Sequence, residues 1–189
     1  MAYTVTTLDP STWEVFAELV ARNNGVFGGC WCIGFHEEGT TKGLDRRSVK
    51  EEMVRCGRSH SAVVLDEDGR AQGWCQWGST AELPNIKHRR VYLAEPPPEP
   101  DWRITCFYVD TKHRGEGIAR AALGGALDQI ASAGGGLVEA IPEVTTGREA
   151  HGRFLYSATV ELFEDHGFAR HRQVGKHAWI VSKMVEPAT

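Results

Sequence analysis

Residues 109–119 read Val109-Asp110-Thr111-Lys112-His113-Arg114-Gly115-Glu116-Gly117-Ile118-Ala119 and join two regular patterns. The residues before this junction, 102–109, are apolar and β-rich, which predicts a strand. The residues after it repeat apolar side chains on one helical face, which predicts a helix over 115–133. The junction is therefore a short turn between a buried strand and a long helix.

The turn has the composition of an anion-binding site. Gly115 and Gly117, with the small Ala119, would let backbone N–H groups close around a diphosphate. The start of the helix adds aligned donors and roughly half a positive charge, and Arg114 adds a mobile cation. The turn predicts phosphate binding; a tight turn that only packs the helix on the strand is the alternative.

Two common nucleotide-binding motifs do not fit this turn. The dinucleotide fingerprint has a third glycine where Ala119 stands, and no second strand–helix–strand half follows. The Walker motif ends in Gly-Lys-Ser/Thr, and that ending is missing here. Another class of phosphate-binding turn is therefore expected.

Outward from the turn, the sequence predicts an α/β protein with a mixed sheet. The strand–helix–strand unit over 102–141 implies a parallel pair, whereas the hairpin signal at 66–69 implies antiparallel neighbours. The predicted order of elements is β-α-α-β-β-β-α-β-α-β-β. A first helix is predicted between the cap at 9–11 and the stop at 23–25, and further helices at 45–56, 115–133 and 159–166. The predicted strands are 3–7, 61–65, 71–78, 102–109, 137–141, 168–174 and 177–184.

Two details of this prediction concern the connections. The helix over 45–56 is expected to bury Val49, Met53 and Cys56 on one face. The polar connection after residue 78 contains a basic run at 87–90, expected to be a solvated loop, and ends in prolines. No helix is predicted in that connection.

Length and composition bound the class of protein. The 189 residues, 41% hydrophobic and 24% charged, suit a single domain over 1–189. The formal net charge of −4 gives no overall attraction to nucleic acid, so no DNA partner is expected. No apolar run reaches the roughly 18 residues of a membrane span, and no secretory signal is visible. Five cysteines, an odd set, favour reduced thiols, so we expect a cytoplasmic protein with no membrane partner.

The turn and its surroundings resemble the GNAT superfamily of N-acetyltransferases. Residues 114–119 stand in the place of the family's Arg/Gln-x-x-Gly-x-Gly/Ala pyrophosphate loop. The strand 106–109 and the segment 162–168, similar to the family's Leu-Tyr-x-x-x-Gly-Phe, extend the likeness, and the element order agrees over nearly the whole chain. Gly29-Cys30-Trp31-Cys32 resembles a bacterial branch of the family. The resemblance implies a GNAT-like mixed sheet, centrally parallel-paired and flanked by helices.

The resemblance also implies a co-substrate, acetyl-CoA or CoA, in a V-shaped gap between the two central parallel strands. The strand 106–109 would pair with the pantetheine arm like an added strand. A backbone N–H near Tyr108 or Val109 would face the thioester carbonyl as an oxyanion donor. The residues implied in binding the co-substrate are Phe107, Tyr108, Val109, Arg114, Gly115, Glu116, Gly117, Ile118 and Ala119.

The chain departs from the family's pattern at two catalytic positions. Phe163 stands where many members carry a tyrosine that protonates the leaving thiolate, and Tyr156 is our substitute. The alternatives are a tyrosine that anchors the loop, or a thiolate that leaves unassisted. No glutamate lies between Arg103 and Val109, where a general base is often found, and Glu139 is the replacement. A hydrogen-bonded strand carboxylate is the alternative for Glu139.

In this architecture the loop between the first two helices would wall the acceptor pocket. Aromatic and thiol side chains this dense suggest a lined cavity, with a loop packed on the core as the alternative. Cys30-x-Cys32 with His36 has no second ligand pair, so no metal site is predicted. The residues predicted to contact the acceptor are Phe27, Cys30, Trp31, Phe35 and His36.

The function implied is an acetyl-CoA-dependent N-acetyltransferase. The acetyl group would pass to a primary amine of a small molecule by direct attack in a ternary complex, with a protein N-terminus or lysine as another acceptor. One alternative is a CoA-binding sensor module without catalysis. Another is an acyltransferase with a different donor, such as a longer acyl-CoA or an aminoacyl-tRNA. A homodimer is left open.

Overall fold

The computed structural model describes residues 2–147 and 155–189 of the chain. These residues form a seven-stranded sheet in the order β1-β2-β3-β4-β5-β7-β6. The strands are β1 (Thr4–Thr7), β2 (His60–Leu65), β3 (Ala71–Ser79), β4 (Trp102–Val109), β5 (Gly136–Ala140), β6 (Ala169–Gln173) and β7 (Trp179–Val185). The helices are α1 (Trp13–Arg22), α2 (Arg46–Arg55), α3 (Arg89–Ala94), α4 (Ile118–Ser132) and α5 (Val160–Glu164).

The mixed sheet confirms the predicted fold class. β4 and β5 are parallel, while every other neighbouring pair of strands is antiparallel. Hydrophobic side chains of α4 pack on one face of the sheet, and those of α1 pack on the other. The parallel pair therefore lies near the middle of the sheet, between two apolar layers.

The helix α3 is the element that the sequence prediction lacks. Tyr92 of α3 is buried and donates its hydroxyl to Glu139, and Arg172 donates to the carbonyl oxygens of Val91 and Tyr92 at 3.2 and 3.1 Å. A helix this short depends on such contacts, because few residues supply its own hydrogen bonds. Its anchors are distant in sequence, so the basic run at 87–90, which overlaps the start of α3, gave no sign of a helix.

The helix α2 turns a different face inward from the one predicted. Asp45 caps it by accepting from the N–H groups of Arg47 and Ser48. Its buried residues are Lys50, Met53 and Val54, whereas Cys56 lies exposed just beyond its end. Met53 is buried as predicted, but the rest of the predicted face was wrong, since Val49 is half-buried and Cys56 is exposed. The apolar spacing gave no reason to bury a lysine.

A bulge in β4 sets the geometry of the sheet's centre. Gln76 pairs with Cys106 and Trp77 pairs with Ile104, so Thr105 has no opposite residue on β3. Beyond Ile104, β4 also loses its parallel partner, because the register with β5 covers only 102–104 against 138–140. The two central strands therefore separate after Ile104, which opens a gap beside the second half of β4.

No helix within 2–147 and 155–189 combines the length and apolar character needed to cross a bilayer.

Candidate active site

The turn between β4 and α4 has the conformation that its glycines allow. Gly115 and Gly117 adopt φ values of +83° and +85°, which residues with a side chain rarely adopt. A Cβ atom added at either glycine would meet no protein atom within 4 Å. The glycines are therefore required by the backbone conformation, and both face open space on the side where a ligand would lie.

The turn leaves a row of backbone donors free. Among the described residues, none accepts a well-formed hydrogen bond from the backbone N–H groups of 114–120. The first hydrogen bond of α4 runs from the N–H of Ala121 to the carbonyl oxygen of Gly117. Arg114 is exposed and forms no ion pair with a described residue. This arrangement fits an anion with several oxygens.

Asp110 holds the turn in place at its first residue. Its carboxylate accepts hydrogen bonds from the Lys112 N–H at 3.1 Å and from the guanidinium of Arg22 at 3.1 and 3.2 Å. Burial alone would raise the pKa of Asp110, but these bonds, with one from Asn23, hold it below its ordinary value. The Asp110 carboxylate is therefore charged at neutral pH and ties the turn to α1.

A cavity of about 420 Å³ opens directly beside the turn. It lies in the gap beside β4, between the start of α4 and the segment that enters α5. Eight of the nine residues predicted to bind the co-substrate line this cavity. Glu116 does not, because its carboxylate points to Tyr3 and His113. The lining residues are Phe27, Phe107, Tyr108, Val109, Arg114, Gly115, Gly117, Ile118, Ala119, Arg120, Leu155, Ala158, Thr159 and Leu162.

The alternation of β4 decides which backbone amides face this cavity. The N–H of Asp110 donates to the carbonyl oxygen of Gln72 on β3, whereas the N–H of Phe107 points to the other side and donates to the carbonyl oxygen of Tyr156 at 2.6 Å. The N–H groups of successive residues in a strand point to opposite sides of that strand. The N–H of Tyr108 therefore faces β3, and that of Val109 faces the gap. Of the backbone N–H groups of Tyr108 and Val109, that of Val109 is the one that faces the gap.

A second cavity, of about 260 Å³, lies next to the first on the α1 side of β4. Phe27 lines both cavities and separates them. We call the second cavity the acceptor pocket; its lining residues are Phe27, Cys30, Cys32, Gly34, Phe35, Cys106 and Tyr156.

Two residues predicted for the acceptor pocket lie elsewhere. Trp31 packs against Trp13, with ring centroids 6.2 Å apart, and its outer face meets Arg47. His36 is 3% exposed and contacts Gln76 and Ser59 behind the pocket wall. The tight turns of the loop rotate these side chains away from the pocket.

The loop that walls the acceptor pocket has a strained backbone. Val26 and Phe27 adopt φ values of +47° and +41°, and Trp31 and Cys32 adopt +49° and +55°. Such values are uncommon for residues other than glycine and are costly for a β-branched one. These backbone conformations turn the side chains of Phe27 and Cys32 into the pocket wall.

Comparison with known proteins identifies the family to which this chain belongs. A model of the acetyltransferase (GNAT) family matches residues 31–168, well over half of the chain. The chain belongs to the GNAT family. No match to it is found among curated protein sequences.

Solved structures of other acetyltransferases share this GNAT fold. A histone acetyltransferase HPA2 and related acetyltransferase from Corynebacterium glutamicum is 15% identical, with a TM-score of 0.56 over 100% of this chain and 98% of that one. A phosphinothricin acetyltransferase from Sinorhizobium meliloti, solved with AcCoA, is 13% identical, with a TM-score of 0.55 over 98% and 90%. The PaiA N-acetyltransferase from Thermoplasma acidophilum, solved with coenzyme A, is 11% identical, with a TM-score of 0.54 over 97% and 99%.

Tyr156 lines the acceptor pocket of this GNAT protein. It lies in a turn that precedes α5. Its ring lies 5.9 Å from that of Phe27 and 6.1 Å from that of Phe35, and no described residue accepts from or donates to its hydroxyl. Burial raises the pKa of Tyr156, so the hydroxyl is protonated and available as a donor.

Phe163, the residue at the family's tyrosine position, belongs to the core. It is fully buried, and its ring packs edge-to-face on Phe107 and Phe168 with centroids 5.9 and 4.9 Å away. The neighbouring Leu162 lines the larger cavity instead. No proton donor therefore comes from this position.

Glu139 lies outside both cavities of the GNAT site. Its two carboxylate oxygens accept from the Tyr92 hydroxyl at 3.0 and 2.9 Å, and Nε of Arg103 lies 3.6 Å away. Burial raises the pKa of Glu139, and Tyr92 and Arg103 partly oppose that rise. The surroundings are those of a hydrogen-bonded strand carboxylate, the alternative considered for this residue.

The sequence reasoning missed Cys32, Gly34 and Cys106 in the wall of the acceptor pocket, and the buried Lys50 behind it. Cys106 could have been found, because its position on β4 alternates with Phe107 and so faces the α1 side. The burial of Lys50 has no sequence signal of that kind. Within 2–147 and 155–189, no group of three or more His, Cys, Asp and Glu side chains is placed to hold a metal ion.

Proposed function

We propose that this GNAT protein transfers an acetyl group from acetyl-CoA to the primary amine of a small molecule. The observation that carries the proposal is the row of N–H groups at 114–120, which donate no hydrogen bond to a described residue and open onto a 420 Å³ cavity adjoining a separate 260 Å³ pocket. The larger cavity suits acetyl-CoA, a phosphorylated thioester carrier, and the smaller cavity suits the amine that accepts the acetyl group. The continuous sheet from β1 to β7 supports treating 1–189 as one catalytic domain.

The residues of the turn would hold the pyrophosphate of the carrier. Backbone N–H groups from Gly115 to Ala119, the helix dipole and Arg114 all favour bound negative charge. The pantetheine arm would lie in the gap beside β4, where Val109 presents its N–H. We propose the backbone N–H of Val109 as the oxyanion donor, because the N–H of Tyr108 faces β3 and points away from the gap.

The acceptor pocket supports an amine with an apolar body. Phe27, Phe35 and Tyr156 surround it, and none of the described residues that line it carries a carboxylate or an imidazole. Direct attack needs the neutral amine within about 3 Å of the thioester carbon. Tyr156 is proposed as the proton donor to the departing thiolate, since its hydroxyl is protonated and unpaired among the described residues.

The experiment combines binding with turnover on the full chain. Titration calorimetry with CoA tests the larger cavity, and release of free thiol from acetyl-CoA against a panel of small aromatic and aliphatic amines tests the reaction. Binding with amine-dependent thiol release supports the proposal. Binding without turnover on any amine favours a CoA-binding module, and release from longer acyl-CoA only points to another donor.

A further inference from the structure

A third cavity lies beside the acceptor pocket and is far smaller. Its volume is about 20 Å³, and since a water needs roughly 10–15 Å³, it has room for one water-sized group. We call this cavity the side pocket; its lining residues include Phe35, Asn85, Lys87, Arg103, Thr105 and Ser157. Phe35 lines both the side pocket and the acceptor pocket, so one aromatic side chain is common to the two spaces.

The bulge in β4 explains why the two pockets are neighbours. Ile104 and Phe107 both pack in the core beneath α4, although they are three residues apart. The two residues between them, Thr105 and Cys106, line the side pocket and the acceptor pocket respectively. In a regular strand these two side chains would point to opposite faces of the sheet, whereas the extra residue of the bulge brings both to the α1 side.

Two buried polar atoms at the side pocket lack a hydrogen-bond partner. Thr105 is only 8% exposed, and no described residue forms a hydrogen bond with its Oγ1. Nε of Arg103 forms none either, because its ion-pair partner Glu139 lies 3.6 Å away, beyond the range of a hydrogen bond. A buried hydroxyl or N–H that stays unpaired costs free energy. Both residues line the side pocket, which is therefore the space where a partner for these atoms would lie.

The charges beside the side pocket are already balanced. Lys87 forms an ion pair with Glu143 and donates to Ser157 Oγ at 3.0 Å. Arg103 has Glu139 as its ion-pair partner. A carboxylate in the pocket would stand close to these two glutamates as a like charge, and its two oxygens exceed the room for one water-sized group. The side pocket therefore suits a single uncharged oxygen.

A hydroxyl group meets the needs of both unpaired atoms. It supplies one O–H donor and two acceptor lone pairs. Its oxygen can accept from Nε of Arg103, and it can exchange a second hydrogen bond with Thr105, whose own hydroxyl both donates and accepts. Phe35, the side chain common to the two pockets, is only half-buried. A molecule in the acceptor pocket therefore reaches the side pocket past one ring.

We propose that the side pocket binds a hydroxyl group of the acceptor, so that the preferred substrates are primary amines with a hydroxyl at the far end of an apolar body. This inference rests on the proposed function and makes Thr105 a specificity-determining residue. The amine lies in the acceptor pocket, and the hydroxyl lies beyond Phe35, between Thr105 and Arg103.

Binding to the CoA-loaded full chain tests the side pocket without turnover. Titration calorimetry compares linear amino alcohols with alkylamines in which a methyl group replaces the hydroxyl, over a series of chain lengths. At the length that spans the two pockets, we expect the amino alcohol to bind about ten- to a hundredfold more tightly, because the alkylamine leaves the buried polar atoms unpaired. An amino acid of the same length, with a carboxylate in place of the hydroxyl, should bind no better than the alkylamine.

Thr105→Val removes the hydroxyl of the side pocket and nearly preserves the shape of the side chain. It should abolish the preference for the amino alcohol while the affinities for the alkylamine and for CoA stay the same, and Thr105→Ser should retain the preference. Thr6→Val, the same substitution at a half-buried threonine of β1, is the matched control and should leave the preference unchanged. Equal binding of amino alcohols and alkylamines at every length would overturn the proposal and leave a resident water as the occupant. A preference that persists in Thr105→Val would overturn it as well.

Turnover separates this inference from the proposed function. With acetyl-CoA, the same preference should appear in kcat/KM and lie mainly in KM, since the hydroxyl is bound equally before and during the reaction. If alkylamines are acetylated as efficiently as amino alcohols, the proposed function stands and the side-pocket assignment fails. If CoA binds but no amine is acetylated, the proposed function fails, and the calorimetric preference still decides whether the side pocket binds a hydroxyl.

Discussion

Replacing Gly117 with valine isolates the contribution of the phosphate turn. Gly117 has φ of +85° and precedes α4, so its conformation aims the N–H groups of the first helical turn at the cavity. A β-branched residue is strained there by roughly 1–3 kcal/mol, and the backbone relieves that strain by rotating away. Its Cβ would also point into the open space where the ligand is expected.

The expected loss of affinity follows from the donors that this rotation removes. Losing two hydrogen bonds from backbone N–H groups to a charged phosphate costs about 1.5–3 kcal/mol each. The dissociation constant for CoA should therefore rise by a factor on the order of 10² to 10⁴. Titration calorimetry measures it, with CoA at concentrations up to the millimolar range for the variant.

Gly69→Val is the matched control for this prediction. Gly69 lies in the β2–β3 turn with φ of +74°, and a Cβ atom there also meets nothing within 4 Å. Both variants should lose a similar free energy of unfolding, about 1–3 kcal/mol, but only Gly117→Val should lose CoA. Equal CoA affinity in wild type and Gly117→Val would refute the assignment of the turn.

Three further substitutions test individual residues. Tyr156→Phe should lower kcat by about a hundredfold with CoA affinity unchanged, and a wild-type kcat would end its candidacy as proton donor. Glu139→Gln should leave the shape of the pH profile of kcat/KM unchanged, because Glu139 lines neither cavity; a displaced profile would restore it as a base. Asp110→Ala should lower the free energy of unfolding by about 2 kcal/mol at pH 7. Because the folded-state pKa of Asp110 is depressed, that difference should shrink as the pH falls below about 4, and a pH-independent difference in chemical denaturation would contradict it.

The part of the site that the sequence predicts well is local in the chain. The strand β4, the turn after it and the helix α4 depend on neighbouring residues: apolar side chains before the turn, glycines within it and a helical repeat behind it. The structure places Arg114, Gly115 and Gly117 around one cavity with the end of β4. Glu116 differs because its partners, Tyr3 and His113, are set by the docking of the N-terminal strand.

The part that the sequence does not predict depends on contacts between distant segments. Helix α3 is anchored by Glu139 and Arg172, which lie 47 and 80 residues away from Tyr92. Lys50 is buried because α2 packs over Ser59 and the strained loop, and helical spacing carries no information about that loop. The side chains of His36 and Trp31 lie outside the acceptor pocket for the same reason, because the conformation of that loop cannot be read from residue spacing.

The most direct test of the phosphate turn is a crystal structure of the full chain with CoA. We predict pyrophosphate oxygens within about 3 Å of the backbone nitrogens between Gly115 and Ala119, with the pantetheine arm along the gap side of β4. CoA bound elsewhere on the protein, with those nitrogens contacting only solvent, would contradict the assignment.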